Sequence, residues 1–311
     1  MTKISVVIPV YKAESCLHEL YSRLRQTLDP ISPEFEILFV EDGGGDRSWP
    51  IILDLALQDD RIKGLKLSRN FGQHPAISAG FENASGEYIV LMDCDLQDQP
   101  ENIPLLIDAL QDNPDIDIVY TIKKGYIGSW QTRFTSKLYH YTFSKITKIK
   151  VPENIGTFRA FNRKFLQAIL QYDERNILYG PLMFYMGFNS VCIPITHSSR
   201  QFGRSTYSFA KRLALAVNSL VSYTDIPHRA LTYIGLIVFA SSGLYSFCLV
   251  LGYILFGRAL AAGVTIVLLL TTMFLGIMMF SLGIIGSYVF RVYQEVLKRP
   301  RYLVSQTVNL K

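Results

Sequence analysis

Asp93 and Asp95 stand two residues apart where the apolar run Tyr88–Met92 gives way to Asp-Cys-Asp-Leu-Gln-Asp-Gln-Pro-Glu. A short apolar run that stops in a burst of carboxylates predicts a buried strand whose end leaves the sheet. Two carboxylates in such a place can converge on one divalent cation. Hard oxygen donors suit Mg²⁺ or Mn²⁺, which keeps several waters and takes further ligands from a substrate diphosphate. Acidic residues after a strand also serve as solvated turn groups and helix caps, so the pair gains meaning only from what the chain brings beside it.

The elements that would position it follow one another regularly. Ile4–Val10 is a continuous apolar run of buried-strand type, Glu14–Leu28 an amphipathic helix, and Glu36–Val40 a second strand ending in Glu41-Asp42-Gly43-Gly44-Gly45-Asp46. A helix near Ser48–Gln58, a strand near Ile62–Leu67, a helix near His74–Asn83 and the strand Tyr88–Met92 come next. This alternation predicts an α/β fold with a doubly wound, mostly parallel sheet. Ligands of such sheets sit beyond the carboxyl ends of the strands, where Pro9–Glu14, Glu41–Asp46, Ser68–Phe71 and Asp93–Asp98 all fall. Neither a Gly-x-Gly-x-x-Gly nor a Walker-type loop occurs, so phosphate would be handled by metal and by Arg or Lys.

Composition changes along the 311 residues. No charged residue occurs between Arg229 and Arg258, or between Arg258 and Arg291. Each gap exceeds the roughly 20 apolar residues that cross a bilayer core, which predicts transmembrane helices at about Leu231–Phe256 and Val264–Phe290. The expected organisation is a cytoplasmic domain over 1–204, an interfacial amphipathic segment over 205–230, two spans within 231–290, and a cytoplasmic tail over 291–311. Arg200, Arg204, Lys211, Arg212 and Arg229 before the spans, with Lys298, Arg299, Arg301 and Lys311 after them, place both flanks in the cytoplasm by the positive-inside bias. The net charge of +5 follows this boundary and has no interleaved aromatic platform, which argues against nucleic acid as a partner. The cysteines, Cys16, Cys94, Cys192 and Cys248, are too scattered for a zinc site or a disulfide framework.

Several stretches, in order, resemble the family 2 glycosyltransferases of GT-A fold. They are Ser-Val-Val-Ile-Pro-Val-Tyr-Lys-Ala-Glu (5–14), Val-Glu-Asp-Gly (40–43), Ser-Arg-Asn-Phe-Gly-Gln (68–73), Ala-Gly-Phe (79–81) and Met-Asp-Cys-Asp-Leu-Gln-Asp-Gln-Pro-Glu (92–101). More narrowly they are similar to polyprenyl-phosphate sugar transferases, the dolichol-phosphate mannosyltransferases and bactoprenol glucosyltransferases. Arg-Gln-Phe-Gly-Arg-Ser-Thr-Tyr (200–207) and the paired apolar segments fit the bactoprenol branch. The resemblance implies inverting transfer of a hexose, by default glucose from UDP-glucose, to membrane undecaprenyl phosphate. The lipid-linked product would serve cell-surface glycan modification such as that of lipopolysaccharide O-antigen. It further implies a multi-pass protein of the bacterial inner membrane and a homo-oligomer, with a tetramer as precedent.

Residue by residue, the resemblance puts Pro9, Tyr11 and Glu14 in the nucleotide-binding first loop, with Asn70 also on the donor side. Asp42 matches the acid that reads the base, and Glu41 stands where many relatives have another Asp. Asp93, Asp95 and Gln97 match the metal and diphosphate motif. Lys123, Arg133 and Ser136 match, loosely, positions that hold the acceptor phosphate. Arg133 falls on an expected helix, Trp130–Ile146, whose aromatic residues rest either at the membrane interface or on their own domain. Arg200 would close over the diphosphate with Ser205, or else meet lipid phosphate beside the membrane. Many bactoprenol relatives have Asp where this chain has Thr157, in Gly156-Thr157-Phe158-Arg159. A phosphate monoester has its second pKa at about 6 and is already anionic, so this acceptor needs no general base and activity is expected to survive. Arg159 would contact the diphosphate or pair with a neighbouring carboxylate. His74 is expected to start a helix in the wall of the donor pocket. The competing readings are a catalytically degenerate membrane scaffold of the same fold and a processive polysaccharide synthase. The latter would require a Gln-x-x-Arg-Trp signature that neither Trp49 nor Trp130 supplies.

Overall fold

The computed structural model describes residues 3–124, 152, 155–174, 177–196 and 263–310, with single positions scattered between 233 and 255. The chain divides into two compact units, Met1–Leu213 with Pro300–Lys311, and Ala214–Arg299.

The first unit is built on an eight-stranded mixed sheet. Its strands are β1 (Ile4–Val10), β2 (Phe35–Glu41), β3 (Ile62–Leu67), β4 (Tyr88–Leu91), β5 (Ile118–Lys124), β6 (Ile155–Asn162), β7 (Ser190–Thr196) and β8 (Val304–Val308), in the order β7-β5-β6-β4-β1-β2-β3-β8. The first four pair in parallel through β1, and β5 pairs in parallel with β7. β6 enters antiparallel between β4 and β5, and β8 closes the other edge antiparallel to β3. The sheet is therefore more mixed than alternation alone implies, because an antiparallel insertion leaves no mark in the order of elements.

β1 and β2 are buried at every residue, as continuous apolar runs require when both faces are covered. On one face Ile4, Val6, Ile8 and Val10 pack with α1 (Leu17–Leu28), α2 (Ser48–Gln58) and α4 (Ile103–Asp112). On the other, α3 (Gln73–Asn83) lies so close that a Cβ on Gly80 would stand 2.3 Å from Val7 Cγ1. Only glycine fits there. Glu36, a carboxylate within the sheet's core, accepts from Ser5 Oγ at 2.5 Å, Ser85 N at 2.6 Å, Ser85 Oγ at 2.9 Å and the Lys63 ammonium. Burial pushes its carboxyl up, and the bonds from Lys63, Ser5 and Ser85 outweigh that and hold it below its ordinary value.

α1 begins at Leu17 and not at Glu14, because the preceding backbone is committed elsewhere: Ala13 N donates to Ser48 Oγ and Glu14 N to Asp46 Oδ2. Two short helices, α5 (Arg163–Ile169) and α6 (Tyr179–Tyr185), and a 3₁₀ turn at Pro100–Asn102 complete the described helices of this unit.

The second unit contains α7 (Gly263–Val296), 34 residues long. It covers the expected span Val264–Phe290, while most of Leu231–Phe256 lies outside the described residues. Among the described residues no helix is long and apolar enough to cross a membrane. Many α7 side chains fall outside that set.

Residues 291–311, expected as a tail, instead carry the end of α7 and then β8. Val-Ser-Gln-Thr-Val is short and mostly exposed, held by pairing with one neighbouring strand, so it does not stand out beside an apolar helix.

Candidate active site

The chain runs from β1 outward to β2 and β3, then returns to the other side of β1 as β4. The loops that leave β1 and β4 at their carboxyl ends thus diverge around a crevice, the usual ligand position in an open α/β sheet. Tyr11 is exposed at the end of β1, and Lys12 follows with φ of 52°. The Cys16 thiol ties the two loops together by donating to Cys94 O at 3.1 Å.

Asp93 and Asp95 are both half-buried in the β4 loop. Gln73 Nε2, at the first turn of α3, donates to Asp93 Oδ1 at 2.8 Å, and Gln97 N donates to Asp95 Oδ1 at 3.2 Å. Between them the chain is turned by Leu96, whose φ of 58° is left-handed while its side chain is buried in the core. A non-glycine residue in that region costs on the order of 1 kcal/mol, so packing fixes this turn against a local preference. Two carboxylates suit a hard cation that completes its shell with water and a diphosphate. Among the described residues no group of three or more His, Cys, Asp or Glu side chains could hold an ion alone.

Behind this loop lies a buried cation. Arg159 on β6 pairs directly across from Leu91 and is 5% exposed. Its guanidinium donates to Thr157 O at 2.8 Å, Gly156 O at 2.9 Å and Met183 Sδ at 3.2 Å, and lies 5.6 Å from the Tyr120 ring centre. Burial lowers its pKa, opposed by the fields of Tyr120, Asp93 and Asp98. Burial, with a smaller push from Arg159, also brings His74 down to about 4, so the imidazole is neutral near pH 7.

The loop after β2 supplies the second acidic pair. Both oxygens of Asp42 are engaged by backbone donors: Phe71 N to Oδ1 at 2.7 Å and Gly72 N to Oδ2 at 2.9 Å. Glu41 Oε1 accepts from Gly44 N at 2.5 Å, while Glu41 Oε2 is buried with no hydrogen-bond partner among the described residues. Gly43 has φ of 62°, and a Cβ on it would lie 2.4 Å from Asn70 N, so this turn seats directly on the Ser68–Gly72 loop. Glu14 Oε2 accepts from Arg47 N at 2.9 Å, bracing the β1 loop against the start of α2.

Of the residues singled out from sequence, Tyr11, Glu14, Glu41, Asp42, Asn70, Asp93, Asp95 and Gln97 come to this carboxyl edge, with Pro9 buried in β1. Thr157 and Arg159 approach from β6, Arg159 as an enclosed cation. Lys123 is on β5, paired with Ile195. Arg133, Ser136, Arg200, Ser205 and the expected helix Trp130–Ile146 lie outside the described residues. Gln73 carries no role in the sequence reading, because its link to Asp93 is a matter of tertiary approach, and Asp98, at the end of the Asp93–Asp98 loop, is buried and acts on Arg159.

A mixed α/β sheet with an acidic pair at the β1/β4 crevice defines a GT-A-type fold. Residues 5–170 match the glycosyl transferase family 2 model, and this chain belongs to that family. It is 34% identical over 310 residues to "Uncharacterized glycosyltransferase sll0501" of Synechocystis, covering 99% of this chain and 96% of the relative. It is 32% identical over 313 residues to the undecaprenyl-phosphate 4-deoxy-4-formamido-L-arabinose transferase of Proteus mirabilis, covering 100% and 95%. The fold is similar to that of glucosyl-3-phosphoglycerate synthase from Mycobacterium tuberculosis, crystallised with Mn²⁺, UDP and phosphoglyceric acid. That match has a TM-score of 0.54 at 14% identity and covers 71% of this chain and 78% of that one.

Proposed function

We propose that this protein transfers a sugar from a nucleoside diphosphate to polyprenyl phosphate, with undecaprenyl phosphate as the lipid. The observation that carries the reading is the Asp93–Asp95 turn, held at the β1/β4 crevice beside a second acidic pair. The near full-length similarity to an undecaprenyl-phosphate sugar transferase supports the acceptor.

Asp93, Asp95 and Gln97 would hold Mg²⁺ or Mn²⁺, which supplies Lewis-acid neutralisation of the departing diphosphate. Gln73 fixes one oxygen of Asp93, and the enclosed Arg159 sets the field behind the carboxylates. Tyr11 offers an exposed ring for the base. Asp42 would read the base with the acceptor capacity its oxygens keep beyond the Phe71 and Gly72 amides, with Glu41 buried beside it. The acceptor phosphate, anionic near neutral pH, attacks the anomeric carbon from the face opposite the nucleotide and inverts it. It needs cationic positioning, for which Lys123, Arg133 and Ser136 are the candidates, with Arg200 and Ser205 on the donor diphosphate. Thr157 takes a sugar hydroxyl.

The uncharged stretch of α7, together with 231–256, is read as two spans of a bacterial inner membrane with the catalytic unit on the cytoplasmic side. A homo-oligomer, with a tetramer as precedent, belongs to the same reading. Glucose on UDP is the first donor to try, beside a donor bearing the 4-deoxy-4-formamido-L-arabinose named for the Proteus relative.

The test is a panel of nucleotide sugars with undecaprenyl phosphate and the purified full chain, with and without Mn²⁺ or Mg²⁺, read by mass of the lipid product. One donor should give metal-dependent product, and Asp95→Asn should abolish it while leaving membrane insertion intact. Equal labelling by Asp95→Asn and parent would remove the metal assignment. No product with any donor would remove the transferase reading in favour of the scaffold.

A further inference from the structure

The C-terminal segment Arg301–Leu310 is tied to the unit that carries the acidic loops. β8 pairs with β3 from Gly64 to Leu67, and Ser68 N donates to Leu303 O at 2.8 Å just beyond the ladder. Asn309 Nδ2 donates to Ala56 O and Ile62 O, both at 2.9 Å. Arg301 donates to Tyr172 O and to Glu82 Oε1, each at 3.3 Å, and lies 3.5 Å from Asp173 Oδ1. The Tyr302 hydroxyl donates to the other oxygen of Glu82. Glu82 is near the end of α3, whose first turn carries Gln73.

These contacts converge on one loop. Tyr302, Leu310 and Phe71 pack on the same buried cluster of Leu38, Val40, Leu65, Leu67, Ala76 and Ala79. The Phe71 and Gly72 amides are the two donors that hold Asp42, and the next residue, Gln73, holds Asp93. A path of direct contacts therefore runs from Tyr302 and Leu303, through Ser68–Gln73, to both acidic pairs of the site.

We infer that Arg301–Leu303 is a positioning element for the donor site: it sets the Ser68–Gln73 loop and, through it, Asp42 and Asp93. The inference deepens the donor role proposed above and rests on that reading. It assigns Tyr302 as a positioning residue, since nothing places it against the substrate itself. Removing its ring should let the loop open, so that binding draws on a smaller closed population and the apparent dissociation constant rises in proportion.

The test uses the full chain as Tyr302→Ala, Tyr302→Phe and Glu82→Gln. Hydrogen exchange is followed over 68–73 and 301–308, UDP binding is titrated with Mn²⁺ present, and steady-state kinetics are taken with the best donor. Tyr302→Ala should lose protection at 68–73 and bind UDP about tenfold more weakly. Its KM for donor should rise while kcat and the KM for lipid phosphate stay within about twofold. Tyr302→Phe keeps the ring and should restore UDP affinity. Glu82→Gln weakens only the far anchor and gives a smaller effect in the same direction, which decides the matter if Tyr302→Ala fails to fold. Faster exchange at 301–308 with parental protection at 68–73 and parental UDP affinity would overturn the inference. If the parent binds no UDP, the donor reading fails, and exchange at 68–73 in the same variants still decides the coupling.

Discussion

Replacing Asp42 by Asn separates two roles that one acid could have. In the folded chain its two oxygens accept the Phe71 and Gly72 amides at 2.7 and 2.9 Å. Hydrogen bonds to a charged group contribute roughly 1.5–3 kcal/mol each. Asn retains one acceptor, now neutral, and turns an NH₂ toward the other backbone N–H, leaving a donor against a donor. The net loss is about 2–4 kcal/mol, felt first as opening of Ser68–Gly72 because Asp42 is that loop's direct anchor. At about 1.4 kcal/mol per tenfold, the lower bound corresponds to roughly 30-fold weaker nucleotide binding. Calorimetric titration of UDP with Mn²⁺, together with hydrogen exchange over 68–73, reads both consequences. Asp42→Asn should weaken binding and expose the loop together. Weak binding with parental exchange would mean that Asp42 contacts the base and does not serve the loop. Parental values in both would refute the anchoring argument.

The remaining expectations are narrower. The parent, with Thr157, should form lipid-linked sugar unaided; an inactive parent that gains turnover as Thr157→Asp would show that the acceptor does require a base. His74, held at about 4 against an ordinary 6.5, stays neutral in the folded state while the unfolded chain takes up a proton below pH 6.5. Stability is therefore complete above that pH and falls as pH drops toward 4, by about 2 kcal/mol between pH 6.5 and 5. Thermal unfolding at pH 7 and 5 should show a smaller drop in His74→Gln, and equal drops in the two proteins would count against it. Gly80→Ala drives a methyl into Val7 and should cost about 1–3 kcal/mol, visible as a lower melting temperature, whereas an unchanged one would mean that α3 can shift freely.

The sequence was most readable where burial is continuous. Ile4–Val10 matches the expected bounds residue for residue, and the β2 and β4 runs lie within a residue, because a strand covered on both faces is largely apolar; Ser48–Gln58 and Ile62–Leu67 match as well, although only part of each is buried. The acidic loops were legible for a related reason: carboxylates next to such strands are conspicuous. β5, β6, β7 and β8 were not read, since each owes its place to neighbours distant in sequence, antiparallel ones for β6 and β8. Gln73 and Tyr302 carry no local signal either. Their importance lies in a single hydrogen bond or a shared cluster that exists only once the chain has folded.

Because β8 is supplied by residues that follow α7 in the chain, the sheet is unfinished for most of the time the protein is being synthesised. Until Val304–Val308 emerges, β3 presents a bare flank of amides and carbonyls, the kind of surface that recruits strands from other molecules. An excised catalytic fragment ending near residue 204 would keep that flank permanently. Grafting the last ten or so residues back onto the fragment, by fusion or as a separate peptide, supplies the missing border that truncation removes.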